Sequence, residues 1–213
     1  MKIIETKGII YFNELENNSG WYWGTNYAGG DLYEAEELFR NGHEISSNRL
    51  IFLHYPDGST AEPIRTKSGQ YFGSPVFYQE QVYILMVDFP AEIILIFRWR
   101  PDTDIVKHVT ELPLSSAIDC YNLRLHAGKE LMLLREGGSE PFQIIWPEKA
   151  YFSIGEREGF EFRDGDRLYF SRWEEDPDYR EEAVIRRFPT GEILEVLPGA
   201  LQEFPDGQCW LLR

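Results

Sequence analysis

Hydrophobic positions in this chain fall in short runs, such as Tyr83 to Val87, Ile93 to Phe97, Leu131 to Leu134 and Leu168 to Phe170, with Gly, Pro, Asp and Asn between them. The runs are rich in Ile, Val, Leu and aromatic residues, which suit a pleated, half-buried surface. Their punctuation is that of strands and hairpins. The pattern predicts an all-β fold. Helical spacing is confined to one segment, Asp31 to Gly42. Asp31 is placed to cap a first turn, Glu34 follows three residues later as in a capping box, and Gly42 can end the helix. One short helix is therefore predicted near residues 32–41.

Two turn marks recur and alternate. In the first, an aromatic strand end runs into a proline turn: Tyr55-Pro56-Asp57-Gly58, Trp99-Arg100-Pro101-Asp102, Trp146-Pro147-Glu148-Lys149 and Phe188-Pro189-Thr190-Gly191. These prolines are 45, 46 and 42 residues apart. Proline fixes φ and removes a ladder donor, so it belongs at a strand end. The second mark is a tight turn before a strongly apolar strand: Tyr78-Gln79-Glu80-Gln81, His126-Ala127-Gly128-Lys129, Arg163-Asp164-Gly165-Asp166 and Phe204-Pro205-Asp206-Gly207. Gly and Asp supply the backbone angles that hairpin turns demand.

Together the marks define a unit of four antiparallel strands, about 42 to 46 residues long, the length of a propeller blade. Units are expected at residues 8–72, 73–113, 114–158 and 159–199, the first lengthened by the helix. Residues 200–213 hold half a unit, which Met1 to Lys7 is expected to complete, because a half blade would leave an open edge. In period and strand number the chain resembles the β-propeller superfamily, although the Trp-Asp dipeptide and paired glycines of the named repeat families are absent. The resemblance implies one propeller-like domain over 1–213, with about five blades of four-stranded meanders and closure by the N- and C-terminal strands.

Composition narrows the partners. Hydrophobic residues make up 43% of the 213, enough for a packed core. The formal net charge of −15 opposes binding to phosphate backbones and anionic membranes. No nucleic acid and no membrane are expected; a protein or carbohydrate ligand is. Cys120 and Cys209 lie in apolar strand-like runs and read as buried free thiols. Glu5 and Lys7 break the first apolar run, so no secretory signal is read and a cytoplasmic location is expected.

Motifs for chemistry are few. Ser139 sits in a glycine-rich loop without a nucleophile elbow. Ala127-Gly128-Lys129-Glu130 lacks the first glycine and the hydroxyl of a phosphate loop. His43, His54, His108 and His126 have no metal-site spacing, and the pairs Asp102/Asp104, Asp164/Asp166 and Asp176/Asp178 fall at turns. No catalytic residue, metal or cofactor is assigned. Five-bladed propellers are known as glycoside hydrolases, and the resemblance implies acids near inner strands; Asp31, Asp119, Glu161 and Glu203 stand nearest such positions. The most unusual stretch is Gly20-Trp21-Tyr22-Trp23-Gly24-Thr25-Asn26-Tyr27-Ala28-Gly29-Gly30-Asp31, where aromatic residues and glycines precede the helix. Trp21, Trp23, Tyr27 and Asp31 are the candidate ligand-binding residues, rings to stack and polar groups to orient. Trp21 and Trp23, two apart, also suit packing on one strand face. The reading is a non-enzymatic binding or interaction domain, or else a glycan-active or glycan-binding protein with a carboxylate-lined central pocket.

Overall fold

The computed structural model describes residues 1–27, 30–43, 45–137, 141–175, 178–204 and 208–213. The turn at Pro205-Asp206-Gly207, the loop around Ser139, and Asp176 lie outside the described residues. The chain divides into two compact units, 1–125 and 126–213.

In the first unit, β1 (Asn13–Leu15), β2 (Asn18–Thr25), β3 (Leu50–His54) and β4 (Thr60–Ala61) form an antiparallel meander. Helix α1 (Leu32–Arg40) is inserted between β2 and β3. It starts where expected: the Asp31 carboxylate accepts from the Tyr33 and Glu34 amides, and Glu34 returns a bond to the Asp31 amide. At its end Gly42 has φ +73° and donates to Phe39, while His43 donates to Leu38, the two bonds of a Schellman motif.

A second sheet follows, with β5 (Gln70–Phe72), β6 (Val76–Tyr78), β7 (Gln81–Asp88), β8 (Ile93–Arg100) and β9 (Ile105–Pro113). Both β5 and β6 pair with β7, β5 beside Met86 to Asp88 and β6 beside Gln81 to Tyr83, so together they act as one interrupted outer strand. Between the first two sheets lies a core of Leu15, Leu50, Phe52, Val82, Ile84 and Trp99. Trp21 and Trp23 pack against it from the same face of β2, as their two-residue spacing predicts.

The unit boundary falls within β10 (Leu123–Ala127), which continues into β11 (Leu131–Arg135), β12 (Phe142–Trp146) and β13 (Ala150–Phe152). The next meander is β14 (Glu158–Asp164), β15 (Arg167–Glu174), β16 (Arg180–Arg187) and β17 (Ile193–Pro198). In the second unit Met132, Leu134, Phe142, Ile144, Phe160, Leu168, Phe170 and Val184 join these sheets in one core. A buried ion pair lies beside it. Arg186 places Nη2 2.7 Å and Nε 3.1 Å from a Glu158 oxygen, and its Nη1 donates to the Gly191 carbonyl. A hairpin of β18 (Ala200–Glu203) and β19 (Cys209–Leu212) ends the chain.

The turn marks sit where the sequence puts them. Pro56, Pro101, Pro147 and Pro189 each join the last two strands of a sheet, and Gln79-Glu80, Gly128 and Gly165 each precede a long apolar strand. The end of the repeat differs from expectation. Met1 to Lys7 forms no strand, and the last sheet is two-stranded. Lys7 (φ +52°) and Gly8 (φ +90°) turn the chain out of the extended conformation that pairing requires. Lys2 Nζ instead donates to the Pro56 and Asp57 carbonyls, Ile4 packs at Gly58, and Lys7 pairs with Glu62. The first residues are thus fixed to the β3–β4 turn of their own unit. Of the two thiols, Cys120 is buried as expected, but Cys209 is only half-buried. No helix among the described residues is long and apolar enough to cross a membrane.

Candidate functional site: an aromatic cavity beside the helix

The site is built where β2 gives way to the helix. Trp23 pairs across β2–β3 with Phe52, and Gly24 follows it. A Cβ at Gly24 would lie 2.5 Å from the Tyr11 carbonyl and 2.8 Å from Ile9, so glycine is required for residues 9–12 to cross over the strand. The chain then runs past Thr25 and Tyr27 to Gly30, whose φ of +156° delivers Asp31 to the helix cap. Asn48, buried, ties these segments together. Its Nδ2 donates to Thr25 Oγ1 at 2.8 Å, and its Oδ1 accepts from the Phe72 amide at 2.7 Å.

These elements enclose a cavity of about 240 Å³. Trp23, Tyr27 and Phe72 supply aromatic wall; Asp31, Asn122 and Arg124 supply polar groups of both signs. Convergent polar groups on an apolar wall are what small-ligand sites share. Burial, and then the bond to Glu34, raises the Asp31 carboxyl above its ordinary value, while the same contact lowers Glu34. The Tyr27 phenol is raised by burial and by the charges of Glu34 and Asp31, so it is neutral at pH 7. Its hydroxyl oxygen is shut off from solvent and has no hydrogen-bond partner among the described residues. Its ring meets Tyr71 edge to face at 5.7 Å.

Three of the four residues singled out from the sequence, Trp23, Tyr27 and Asp31, therefore share one cavity. Trp21 stands apart from it, tilted against His54 with ring centroids 4.7 Å apart and edge-on to Trp99 at 5.3 Å. Asn48, Asn122 and Arg124 were missed because they come from distant segments; the one local sign is the positive φ of Asn122, a conformation Asn tolerates. Asp119 lines a different hollow with Glu36 and Glu92. Glu161 and Glu203 belong to the second unit.

The second unit carries a larger hollow, about 460 Å³, between β15, β16 and the β18–β19 hairpin. Its charged groups, Lys129 Nζ and Asp164 Oδ2, are 2.6 Å apart and satisfy each other, and Phe162 stacks on Tyr169 at 4.4 Å. The first-unit cavity has the stronger claim because Asp31, Asn48, Asn122 and Arg124 line it together with three aromatic side chains.

No family model matches the chain. No curated protein matches it either. Among solved structures the chain is similar to the putative 6-phosphogluconolactonase of Bacteroides uniformis, at 17% identity and a TM-score of 0.40, over 89% of this chain and 59% of that one. This chain thus spans about three fifths of that protein's length.

Proposed function

We propose that the chain is a binding protein of the β-propeller kind, its sheets the blades of one domain over 1–213, and that the cavity beside α1 takes a small polyhydroxylated ligand such as a single sugar ring. One observation carries the reading: the Trp23 and Tyr27 rings and the Asp31 carboxylate meet at a cavity of about 240 Å³. An aromatic face accepts the C–H side of a sugar, while a carboxylate, an amide and a guanidinium orient its hydroxyls. The volume lies below the roughly 300 Å³ at which pockets for drug-sized ligands begin. Glycoside hydrolysis works with a pair of carboxylates, and Asp31 is the one carboxylate among the described lining residues, which favours binding over turnover. Free thiols suit a cytoplasmic setting.

The test is saturation-transfer NMR against a panel of monosaccharides and polyols, followed by titration of Asp31→Asn with whichever binds. Asn keeps the side-chain oxygen that caps the helix but removes the charge. The expected result is a bound sugar whose affinity falls at least about tenfold in D31N, the worth of one charge-assisted hydrogen bond. A panel with no binder at tens of millimolar, or a binder indifferent to D31N, would overturn the reading.

A further inference from the structure

In a chain of net charge −15, one hollow of the first unit is basic. About 320 Å³ in volume, it is lined by Lys7, Arg49 and Arg65, by Ser47 and Thr66, and by a single carboxylate, Glu62. Three cations against one anion leave an excess of two positive charges.

The arrangement is fixed by the backbone. Arg49 and Arg65 face each other in an isolated antiparallel bridge, and opposed residues in such a bridge project to the same side. Next to it, Thr66 Oγ1 donates to the Asn48 carbonyl and accepts from the Asn48 amide at 3.3 Å, which pins the register. Glu62 is already committed. Its oxygens take Arg49 Nε at 2.7 Å, Arg49 Nη2 at 2.9 Å and Lys7 Nζ at 2.9 Å. Those cations, Arg49 first, hold its carboxyl down at about 2. Arg65 has no ion pair among the described residues. Two guanidinium groups set opposite one another repel unless an anion lies between them.

We propose that this basic hollow is a binding site for a phosphate dianion, with Arg65 as its principal donor, Arg49 and Lys7 as supporting charge and the Ser47 hydroxyl as a further donor. A guanidinium fork matches the tetrahedral oxygens of phosphate, and the committed Glu62 keeps Arg49 in place beside it. The site shares no lining residue with the aromatic cavity, so it stands or falls independently of the sugar reading.

The experiment follows the arginine Nε–H and Ser47 amide resonances of the full chain during titration at constant ionic strength, with inorganic phosphate in one arm and glycerol 3-phosphate in the other. Chloride serves as the control. Saturable shifts at Arg65 and Ser47 are expected, together with at least about tenfold weaker binding in Arg65→Gln. The Arg65 side chain is exposed and makes no ion pair among the described residues, and Gln leaves the backbone bridge to Arg49 in place, so R65Q should melt with the wild type. Equal affinity in the two arms identifies free phosphate as the ligand; tighter binding of the ester identifies a phosphorylated metabolite. Shifts that never saturate, that chloride reproduces, or that persist unchanged in R65Q overturn the proposal.

Discussion

Replacing Tyr27 with Phe should make the ligand-free protein more stable. The Tyr27 hydroxyl is closed to solvent and has no partner among the described residues. A buried hydroxyl that has lost water without gaining a hydrogen bond costs about 1–3 kcal/mol. Phenylalanine keeps the ring and its edge-to-face contact with Tyr71, so little packing is lost in return. Because the ring is half-buried, the lower end of that range applies, a gain of about 1 kcal/mol. In a chain of this length such a gain raises the melting temperature by about 2–4 °C. Differential scanning calorimetry at pH 7 reads the shift directly, and urea unfolding checks that the midpoint rises while the slope is unchanged. The phenol is neutral there, so no charge is altered. A Y27F protein that melts below the wild type would mean that the hydroxyl has a bond stronger than its desolvation, and the description of the cavity wall would be wrong.

In the second unit, Glu158→Ala leaves the Arg186 guanidinium buried with only the Gly191 carbonyl and should cost about 3 kcal/mol, whereas replacing both partners with Met should come close to neutral; urea titrations of both variants decide it, and a loss in E158A below about 1 kcal/mol would refute the pairing. Glu62 has a folded value of about 2, below its ordinary 4.5, so its contribution is complete above about pH 4.5 and is lost as pH falls toward 2. Glu62→Gln should therefore flatten the fall of the urea midpoint over that window, modestly because its partners Lys7 and Arg49 are partly open to solvent, and parallel curves would contradict this. Burial, and next the charge of Glu36, pushes the Cys120 thiol far up, while Cys209 is only half-buried. A thiol reagent should accordingly modify Cys209 first, and Cys120 only after unfolding; simultaneous labelling in the native protein would count against it.

What could be read from the sequence was local chemistry. Proline after an aromatic strand end, Asp-Gly or Gly at a hairpin, and the Asp31–Glu34 box each act within a few residues, and each stands in the structure at the predicted place. What escaped depends on partners far along the chain. Glu36 lies on the buried face of α1 although it is charged, because Arg40 and the Cys120 amide satisfy its two oxygens; only Arg40 is close enough in sequence to be foreseen. Met1 to Lys7 reads as a strand by its Ile residues, yet the turn at Lys7-Gly8 and the carbonyls around Pro56 settle its course. Trp21 and Trp23 are equivalent by spacing. They differ because His54 and Trp99 cover the first, while the helix cap and Asn48 hold open a space beside the second. The opposed pair Arg49 and Arg65 is likewise invisible until the bridge between them is drawn.

The most direct test of the aromatic cavity uses the six tryptophans as reporters. Their indole Nε1–H resonances, assigned by single substitution, are followed while the monosaccharide found by saturation transfer is added. The expected result is a saturable shift of Trp23 with Trp21 and Trp99 unmoved, since the first lines the cavity and the other two meet edge to face outside it, Trp99 in the core and Trp21 packed against it. A ligand that binds but shifts Trp210, in the hollow of the second unit, and leaves Trp23 in place would contradict it.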